Sequence, residues 1–216
     1  MEIPALKLKQ YDRNKKRFTQ ELGEALEAVG VAQVSGLEQG LVDDLYGYMQ
    51  RHVDEIQPDQ DDYAVKREYR QLFRINNSGL RKALYLNKLI TSIKKNISKI
   101  RDKVYSTAAT LYGPLNKSQD LLLFRYYKKQ GRALQQNTAM IRKHTDDQSP
   151  LTFAPSASAP GLEGKINGRW TRLQPQRGYL LVWPGDDLES ISESGVKALL
   201  HRVQYPTTER WALIYG

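Results

Sequence analysis

Cysteine is absent from the 216 residues of this chain. The absence excludes disulfide bonds, thiolate ligands to a metal and a cysteine nucleophile. Long apolar runs are also missing. None approaches the roughly 20 residues of a membrane-spanning helix, and residues 1–16 lack the apolar stretch of a signal peptide. We therefore expect no membrane segment, and the expected location is the cytoplasm.

Two kinds of active-site motif are missing as well. The sequence contains neither a G-x-G-x-x-G loop nor a G-x-x-x-x-G-K-[ST] loop, and no serine lies in a nucleophile-elbow context. Phosphate-loop and serine-nucleophile chemistry therefore have no support. With 40% hydrophobic and 26% charged residues, the composition is typical of a globular protein. The length predicts a single domain over residues 1–216.

The net charge of +9 is unevenly distributed. Residues 38–62 carry eight acidic side chains and one basic one, whereas residues 66–103 carry twelve basic and two acidic ones. The basic segment could bind an anionic partner such as nucleic acid. It could equally be a solvated helix face that the acidic segment partly neutralises. The second interpretation is favoured because every helix surface carries charge, so nucleic acid is not an expected partner.

The first half of the chain, residues 1–118, is predicted to be mainly helical. Apolar residues recur there at three-to-four spacing, which is typical of amphipathic helices. Asp12 is a plausible N-cap for the first helix, and Gly30 would follow its end. His52 falls on the apolar side of the second helix, and we interpret it as a packing residue. We predict helices over residues 13–29, 41–56 and 86–112, and short strands over residues 2–8 and 31–36.

The second half, residues 119–216, has a different sequence pattern. Short apolar segments alternate with Gly, Pro, Ser and Asn, which predicts antiparallel sheets packed as a sandwich or jelly roll. The fold class is therefore α+β. Asn167-Gly168 adds a strong hairpin signal. The predicted strand segments are DLLLFRYY, TAMIRKH, LTFAP, GLEGKING, RWTRLQP, GYLLVWPGD, ALLHRVQYP and RWALIYG.

The candidate metal ligands come from two of the three histidines in the chain. His144 and Asp146 are two residues apart, so in a strand both would project from the same face. A hydrogen-bonded His–Asp pair is the plainer interpretation of these two residues alone. His201 lies in another apolar segment of strand character. Two histidines and one carboxylate on one face of a sheet form the facial triad of non-haem Fe(II) oxygenases, which leaves coordination positions open.

Arg210 lies nine residues past His201, in the segment TERWALIYG. An arginine on a buried strand needs an anionic partner, because an unpaired buried charge is costly. The planar fork of arginine suits a carboxylate, such as the far end of a dicarboxylate that chelates iron. Tyr127, in FRYYKK, could donate a hydrogen bond to the same group. The alternative for Arg210 is a surface charge.

Three acidic residues follow Gly185. Asp186, Asp187 and Glu189 could suggest paired carboxylates for acid–base chemistry. We interpret them instead as structural residues of a turn whose backbone Asp186 caps. The three tryptophans are expected in the core.

Several motifs in order resemble the isopenicillin N synthase-like iron(II)/2-oxoglutarate oxygenases. IPALKL, a helix and GVAQVSG are similar to the family's first strand–helix–strand unit. LLLFRYYKK is similar to the segment that bears the tyrosine facing the cosubstrate. RGYLLVWPGDDLESIS is similar to the strand that leads into the family's Gly-Asp-x-Leu-Glu turn, and KALLHRV to the strand of its distal histidine. The resemblance covers nearly the whole chain and is densest over residues 121–216.

The resemblance implies a fold, a ligand set and a reaction. The fold would be a double-stranded β-helix, or jelly roll, with helices packed on it. His144, Asp146 and His201 would hold Fe(II), and Arg210 and Tyr127 would hold the far carboxylate of 2-oxoglutarate. The implied activity is an O₂-dependent hydroxylation or related oxidation of a small-molecule substrate, with release of succinate and CO₂.

The chain departs from the family pattern at several positions. The usual Arg-x-Ser is Arg210-Trp211-Ala212 here, so one hydroxyl contact to the cosubstrate is lost. Arg125 stands where many members have asparagine, and Lys128-Lys129-Gln130 replaces a proline-rich run. The sequence also stops at Gly216, soon after the arginine strand, which leads us to expect a more open pocket or a larger substrate.

Two alternative functions stay open on the sequence. The first is an iron-dependent oxidase of the same fold that does not use 2-oxoglutarate, which Ala212 in place of serine allows. Activity that survives replacement of Arg210 would indicate it. The second is a non-catalytic module that binds an anionic partner through residues 66–103, and its binding would weaken steeply as salt rises.

Overall fold

Helices occupy most of the first half of the chain. The computed structural model describes residues 2–55, 70–74, 84–116, 122–129 and 139–216. The helix predicted over residues 41–56 begins slightly earlier and ends at His52, followed by a short 3-10 turn, and Ile56 lies outside the described residues. The helices are α1 (Leu8–Arg13), α2 (Lys15–Ala28), α3 (Gln39–His52), α4 (Leu84–Tyr112) and α5 (Asp186–Ile191).

The start of helix α2 differs from the prediction. Asn14, not Asp12, is its N-cap, and the Asn14 side chain accepts a hydrogen bond from the Arg17 backbone amide at 3.0 Å. Asp12 lies inside α1, where its carboxylate accepts hydrogen bonds from Lys103 of α4 at 2.6 and 2.7 Å. The predicted cap is therefore wrong by two residues. The predicted end is confirmed, since Gly30 follows α2 with a φ of 77° that favours glycine.

Helix α4 follows the predicted apolar period. Its apolar side chains pack against α2, α3 and the sheet behind them as one core, while its lysines stay outside it. His52, on α3, packs its ring 4.4 Å from that of Tyr48 and lies 3.1 Å from a Glu55 carboxylate oxygen. The packing interpretation of His52 is thus confirmed. The buried residues of α4 include Leu86, Ile90, Ile93, Ile97, Ile100, Val104 and Ala108.

All eight strand segments predicted in the second half form strands. The first half contributes three more among the described residues. The strands are β1 (Ala5–Leu6), β2 (Ala32–Ser35), β3 (Arg70–Arg74), β4 (Leu122–Tyr127), β5 (Ile141–His144), β6 (Leu151–Pro155), β7 (Leu162–Ile166), β8 (Arg169–Arg172), β9 (Tyr179–Pro184), β10 (His201–Val203) and β11 (Arg210–Tyr215).

The strands form two facing sheets. In the described residues the larger sheet has the order β1-β2-β9-β6-β11-β4-β3, and the smaller has the order β5-β10-β7-β8. Every pairing is antiparallel except β1 with β2. Helices α2, α3 and α4 cover the outer face of the larger sheet, and its inner face meets the smaller sheet. This is the predicted α+β fold, with a jelly roll and packed helices.

Successive side chains along the strands of the larger sheet point to its two faces in turn. On β4, Leu122, Phe124 and Tyr126 are buried, whereas Leu123 and Arg125 between them are only partly buried and line a cavity between the sheets. The sequence therefore builds the helix-packed core and the cavity wall from alternate residues of the same strand.

The Asn-Gly hairpin is confirmed at the joint of β7 and β8. Asn167 and Gly168 have φ values of 48° and 78°, and the flanking Ile166 and Arg169 are paired. Positive φ at both central residues is what a two-residue hairpin turn requires. In the part of the chain that the structure describes, none of the helices is both long and apolar enough to cross a membrane.

Candidate metal centre

The two histidines lie side by side on neighbouring strands of the smaller sheet. His144 ends β5 and His201 begins β10, and the two residues are paired in register with ring centroids 4.2 Å apart. Each Nδ1 lies 2.9 Å from the carbonyl oxygen two residues back, that of Arg142 or Leu199. A carbonyl only accepts hydrogen bonds, so each Nδ1 is the donor. In the neutral imidazole this leaves the Nε2 lone pair to bind a metal.

Asp146 lies close to the two histidines, but it belongs to a loop and not to the predicted strand. Strand β5 ends at His144, so Asp146 lies in the loop beyond it and does not share a strand with the histidine. Two backbone hydrogen bonds hold this loop against the end of β9: Asp186 N–H donates to the Asp146 carbonyl at 2.9 Å, and Gly185 N–H donates to that of Pro150 at 3.1 Å. The structure thus brings Asp146 close to the two histidines from a loop, and the predicted shared strand is wrong.

The two carboxylate oxygens of Asp146 have separate surroundings. Oδ2 accepts hydrogen bonds from Thr152 Oγ1 at 2.7 Å and from Trp183 Nε1 at 2.8 Å. Oδ1 faces the imidazoles, 3.9 Å from His144 Nε2 and 3.6 Å from His201 Nε2. One ligand atom from each of the three residues lies within 4.8 Å of the others, which suits a shared cation.

His201 is the buried member of the three. It is 5% exposed, and this burial lowers the pKa of its imidazole. The Asp146 carboxylate acts in the opposite direction on that pKa, while the charges of His144 and Arg125 add to the lowering. Burial has the largest effect, so the pKa of His201 is lowered overall. The lower pKa favours the neutral imidazole, which is the form that binds a metal.

The acidic turn after Gly185 has a structural role, but not the predicted one. Asp186 does not cap the backbone of the turn. Its carboxylate accepts a hydrogen bond from Thr145 Oγ1 at 3.2 Å, and Gly185 begins α5 without a side-chain cap. Glu189 accepts hydrogen bonds from the Ala198 amide at 2.8 Å and from Lys197 at 3.0 Å, which ties α5 to the segment before His201.

Arg210 and Tyr127 form a second group of polar atoms. They are paired residues on β11 and β4, and both are buried. The Arg210 guanidinium carbon lies 4.8 Å from the Tyr127 ring centroid, and its Nε donates to the Ala159 carbonyl at 3.0 Å. Arg210 Nη1 and the Tyr127 hydroxyl are buried without a hydrogen-bond partner among the described residues. Buried donors in this state call for an acceptor from outside the chain.

One cavity of about 500 Å³ connects the two groups. His144, Asp146 and His201 line it together with Arg210 and Tyr127. Its volume lies within the range of about 300–1,000 Å³ typical of small-molecule sites. The imidazole and carboxylate donors fit a divalent iron, and the unpartnered donors fit a carboxylate. Both expected groups of ligands therefore open into the same space.

The sequence analysis missed two residues that support the site. Thr152 was not singled out, and Trp183 was expected only as a core residue. Trp183 is indeed buried, but its indole N–H orients Asp146. A signal was present, because a buried indole N–H needs an acceptor. Its partner could not be inferred without the fold.

A jelly roll whose cavity carries two histidines and a carboxylate is the arrangement of the non-haem Fe(II) oxygenase class. Comparison with protein-family models agrees, since residues 118–215 match the model of the 2OG-Fe(II) oxygenase superfamily. This part of the chain therefore resembles the superfamily. The match and the site together support a dioxygenase that depends on Fe(II) and 2-oxoglutarate and uses O₂. No curated protein sequence matches it.

Solved structures share the fold over almost the whole chain. AtDAO1, the dioxygenase for auxin oxidation 1 from Arabidopsis thaliana, solved with 2-oxoglutarate, is 18% identical, with a TM-score of 0.73 over 99% of this chain and 91% of that one. The dioxygenase for auxin oxidation in rice is 18% identical, with a TM-score of 0.77 over 99% and 82%. A full-length Neurospora crassa protein in complex with alpha-KG is 13% identical, with a TM-score of 0.77 over 99% and 84%.

Proposed function

We propose that His144, Asp146 and His201 hold the Fe(II) of this dioxygenase, and that Arg210 and Tyr127 bind the far carboxylate of 2-oxoglutarate. The observation that carries the proposal is the shared cavity. In this cavity the ligand atoms of the two histidines and Asp146 lie within 4.8 Å of one another. In the same cavity the buried donors of Arg210 and Tyr127 lack a partner among the described residues. A dicarboxylate that also chelates iron would satisfy both.

The protein's own residues prepare the metal site before iron arrives. The carbonyls of Arg142 and Leu199 fix the histidine tautomers. Trp183 and Thr152 occupy one oxygen of Asp146 and leave the other facing the imidazoles. When bound, iron with 2-oxoglutarate supplies O₂ activation coupled to oxidative decarboxylation of the cosubstrate to succinate and CO₂. Such hydrogen bonds around the ligands keep their orientation fixed throughout this chemistry.

Arg210 has the complementary task of orienting the cosubstrate. It is 4% exposed, so its ion pair with a carboxylate would be little screened by water. Its Nε bond to the Ala159 carbonyl fixes the direction of the guanidinium, while Nη1 is free to donate. The Tyr127 hydroxyl adds a second donor beside it. A carboxylate accepts several hydrogen bonds and matches this pair.

The substrate is a small molecule in this proposal. The cavity volume supports it, as do the likenesses to dioxygenases for auxin oxidation and to the Neurospora crassa protein, which has also been solved with thymine. The reaction is a hydroxylation or a related oxidation. We place the chain in the isopenicillin N synthase-like branch because of the order of its sequence motifs.

One domain over residues 1–216 is also part of the proposal. Strands β1 and β2 of the helical part extend the large sheet through β9, so the jelly-roll part shares its sheet with the first half. A fragment of residues 119–216 is therefore expected not to fold alone, which circular dichroism would test. The cysteine-free composition agrees with a cytoplasmic location, which cell fractionation would test.

The first experiment is anaerobic. Fe(II) and 2-oxoglutarate are added to purified apo-protein, and the weak visible charge-transfer band of the chelate is recorded. The wild type should show the band, His144→Ala should lose it, and His52→Ala, which changes a histidine outside the cavity, should keep it. Arg210→Gln should still bind iron but require a higher 2-oxoglutarate concentration.

Each other outcome has a defined meaning. If iron binds and no band forms, 2-oxoglutarate does not chelate the iron, and the result supports the alternative of an oxidase that does not use it. If no iron binds, the ligand assignment is wrong, and binding through the basic segment becomes the question. In the described part of that segment, Lys103 already pairs with Asp12, and Arg101 donates to the Tyr215 hydroxyl at 2.7 Å. Both side chains thus already have partners within the protein, which argues against an anionic polymer at these two positions.

A further inference from the structure

A second guanidinium enters the same cavity. Arg125 lies on β4, two residues before Tyr127, so both side chains project from the inner face of the sheet. Arg125 Nε is buried and has no hydrogen-bond partner among the described residues. Asp146 and Asp187 also line the cavity, yet neither forms an ion pair with Arg125 in the described chain. A partly buried guanidinium whose Nε lacks an acceptor favours an anion from outside the protein.

One of the two cross-strand neighbours of Arg125 is small. Arg125 is paired with Ala212 of β11, as Tyr127 is paired with Arg210. Directly opposed residues of antiparallel strands have Cβ atoms about 4.5–5.5 Å apart and share a face. A methyl group opposite Arg125 leaves the guanidinium unobstructed on that side. On this face of the sheet, the pair Arg125–Ala212 lies next to the pair Tyr127–Arg210, which is the proposed site of the far carboxylate.

The proposed function assigns no anion of the cosubstrate to Arg125. 2-Oxoglutarate has two carboxylates, and the proposed function uses one at the metal and the other at Arg210 and Tyr127. Arg125 is the remaining cation among the described residues that line the cavity. With both cosubstrate carboxylates assigned elsewhere, Arg125 is left for an anionic group of another molecule, and the molecule still to be accommodated in the cavity is the substrate.

The surroundings of Arg125 describe the rest of that substrate. On its other side along the strands lie Leu123 and Ile214, which are paired with each other and line the cavity. Both side chains are partly exposed. Leu213, between Ala212 and Ile214 on β11, is buried. Apolar surface facing a cavity suits an apolar molecule. The site thus combines one cation with an aliphatic wall.

We infer that the substrate is a small organic carboxylate, whose anionic group pairs with Arg125 and whose apolar part lies against Leu123 and Ile214. Arg125 is a specificity-determining residue in this inference and is not part of the cosubstrate site. The inference rests on the proposed function, because that function assigns both carboxylates of 2-oxoglutarate.

The test measures binding and not turnover. Protein is loaded anaerobically with Fe(II) and 2-oxoglutarate, and isothermal titration calorimetry follows the addition of phenylacetate or octanoate, with phenylacetamide and octanamide as uncharged counterparts. At least one acid should bind, and its amide should bind about tenfold or more weakly, since loss of a buried charge partner is costly. Arg125→Gln should weaken the acid by a similar factor while the Kd for 2-oxoglutarate stays nearly unchanged.

Two further variants complete the design. Arg125→Lys keeps the charge and loses the fork, so it should bind the acid with intermediate affinity and shows whether the Gln variant has merely misfolded. Arg169→Gln, at the exposed hairpin turn, should behave as wild type.

Three outcomes overturn the inference. In the first, Arg125→Gln weakens 2-oxoglutarate by a large factor, which places Arg125 in the cosubstrate site. In the second, acid and amide bind equally well, and in the third no acid binds to protein that has taken up 2-oxoglutarate. Failure of the wild type to take up iron and 2-oxoglutarate is a different result, because it refutes the proposed function itself.

Discussion

The indole N–H of Trp183 donates a hydrogen bond to Asp146 Oδ2 at 2.8 Å. Trp183 lies near the end of β9, whereas Asp146 lies in the loop after β5, so this bond joins the two sheets at the candidate metal centre. The Trp183 ring also meets His201 edge-on, with centroids 5.5 Å apart. One buried side chain therefore contacts two of the three candidate ligands.

Trp183→Phe should weaken iron binding. The substitution keeps an aromatic ring beside His201 but removes the donor to Asp146, so that carboxylate can rotate away from the imidazoles. Loss of a hydrogen bond to a metal ligand typically costs about 10–100-fold in metal affinity. Anaerobic Fe(II) titration measures it, with Trp170→Phe, a partly exposed ring under Arg202, as the control. Equal affinity in both variants would refute the orienting role.

Gly185→Ala should damage the metal centre through the backbone. An added Cβ would lie 2.1 Å from the Ser149 carbonyl oxygen and 2.6 Å from that of Asp146. Neither backbone atom can yield without moving the loop, so we expect a loss of stability of about 1–3 kcal/mol together with weaker iron binding. Gly40→Ala, with no atom within 4 Å of its added Cβ, should leave both unchanged or slightly raise stability. Thermal unfolding and Fe(II) titration measure the two effects.

Gly161→Ala should affect the cosubstrate and spare the metal. An added Cβ would lie 3.1 Å from Arg210 Nε and 3.2 Å from its Cδ. Since Nε is held by the Ala159 carbonyl, the guanidinium has to shift. We expect several-fold weaker 2-oxoglutarate binding and unchanged Fe(II) affinity, both measured by titration. Parallel losses of both ligands would instead indicate a general disturbance of the sheet.

Ala212→Ser should restore a hydroxyl that the family usually has. Ala212 is buried next to Tyr127, Val203 and Met140, so without ligand the new hydroxyl would cost about 1–3 kcal/mol if it finds no partner. A bound carboxylate at Arg210 could accept its hydrogen bond. The variant should therefore unfold at a lower temperature than wild type when free, and gain more from added 2-oxoglutarate. An equal gain in both proteins would place the cosubstrate elsewhere.

Ile97→Ala should separate the stability of the fold from the function of the site. Ile97 is fully buried on α4, on the outer side of the larger sheet. Its truncation should cost about 2–5 kcal/mol in the free energy of unfolding. Iron affinity below the unfolding transition should not change, because no cavity-lining residue is altered. Tyr85→Ala, on the exposed surface of the same helix, is the control.

Local pattern was sufficient for most of the secondary structure. The apolar period of α4 and the short segments after residue 120 reflect which side chains each element buries, and that information is local. Boundaries and caps were less certain, because several polar side chains near a helix start can each cap it. Asn14 and not Asp12 caps α2, and Asp186 bonds Thr145 and not the turn backbone. In both cases tertiary partners decided between chemically similar residues.

The sequence by itself determined which residues are candidates for the site. With three histidines and no cysteine, the candidate nitrogen ligands were few, and the H-x-D motif, His201 and Arg210 followed from residue type and order. Only the tertiary structure decided how these residues meet. The register of β5 with β10 pairs the two histidines, and the packing of Gly185 on the loop of Asp146 brings in the carboxylate. The tertiary structure also shows that Arg125 Nε lacks a hydrogen-bond partner among the described residues. Contacts between residues far apart in sequence depend on sheet register and on long-range packing, which no local pattern specifies.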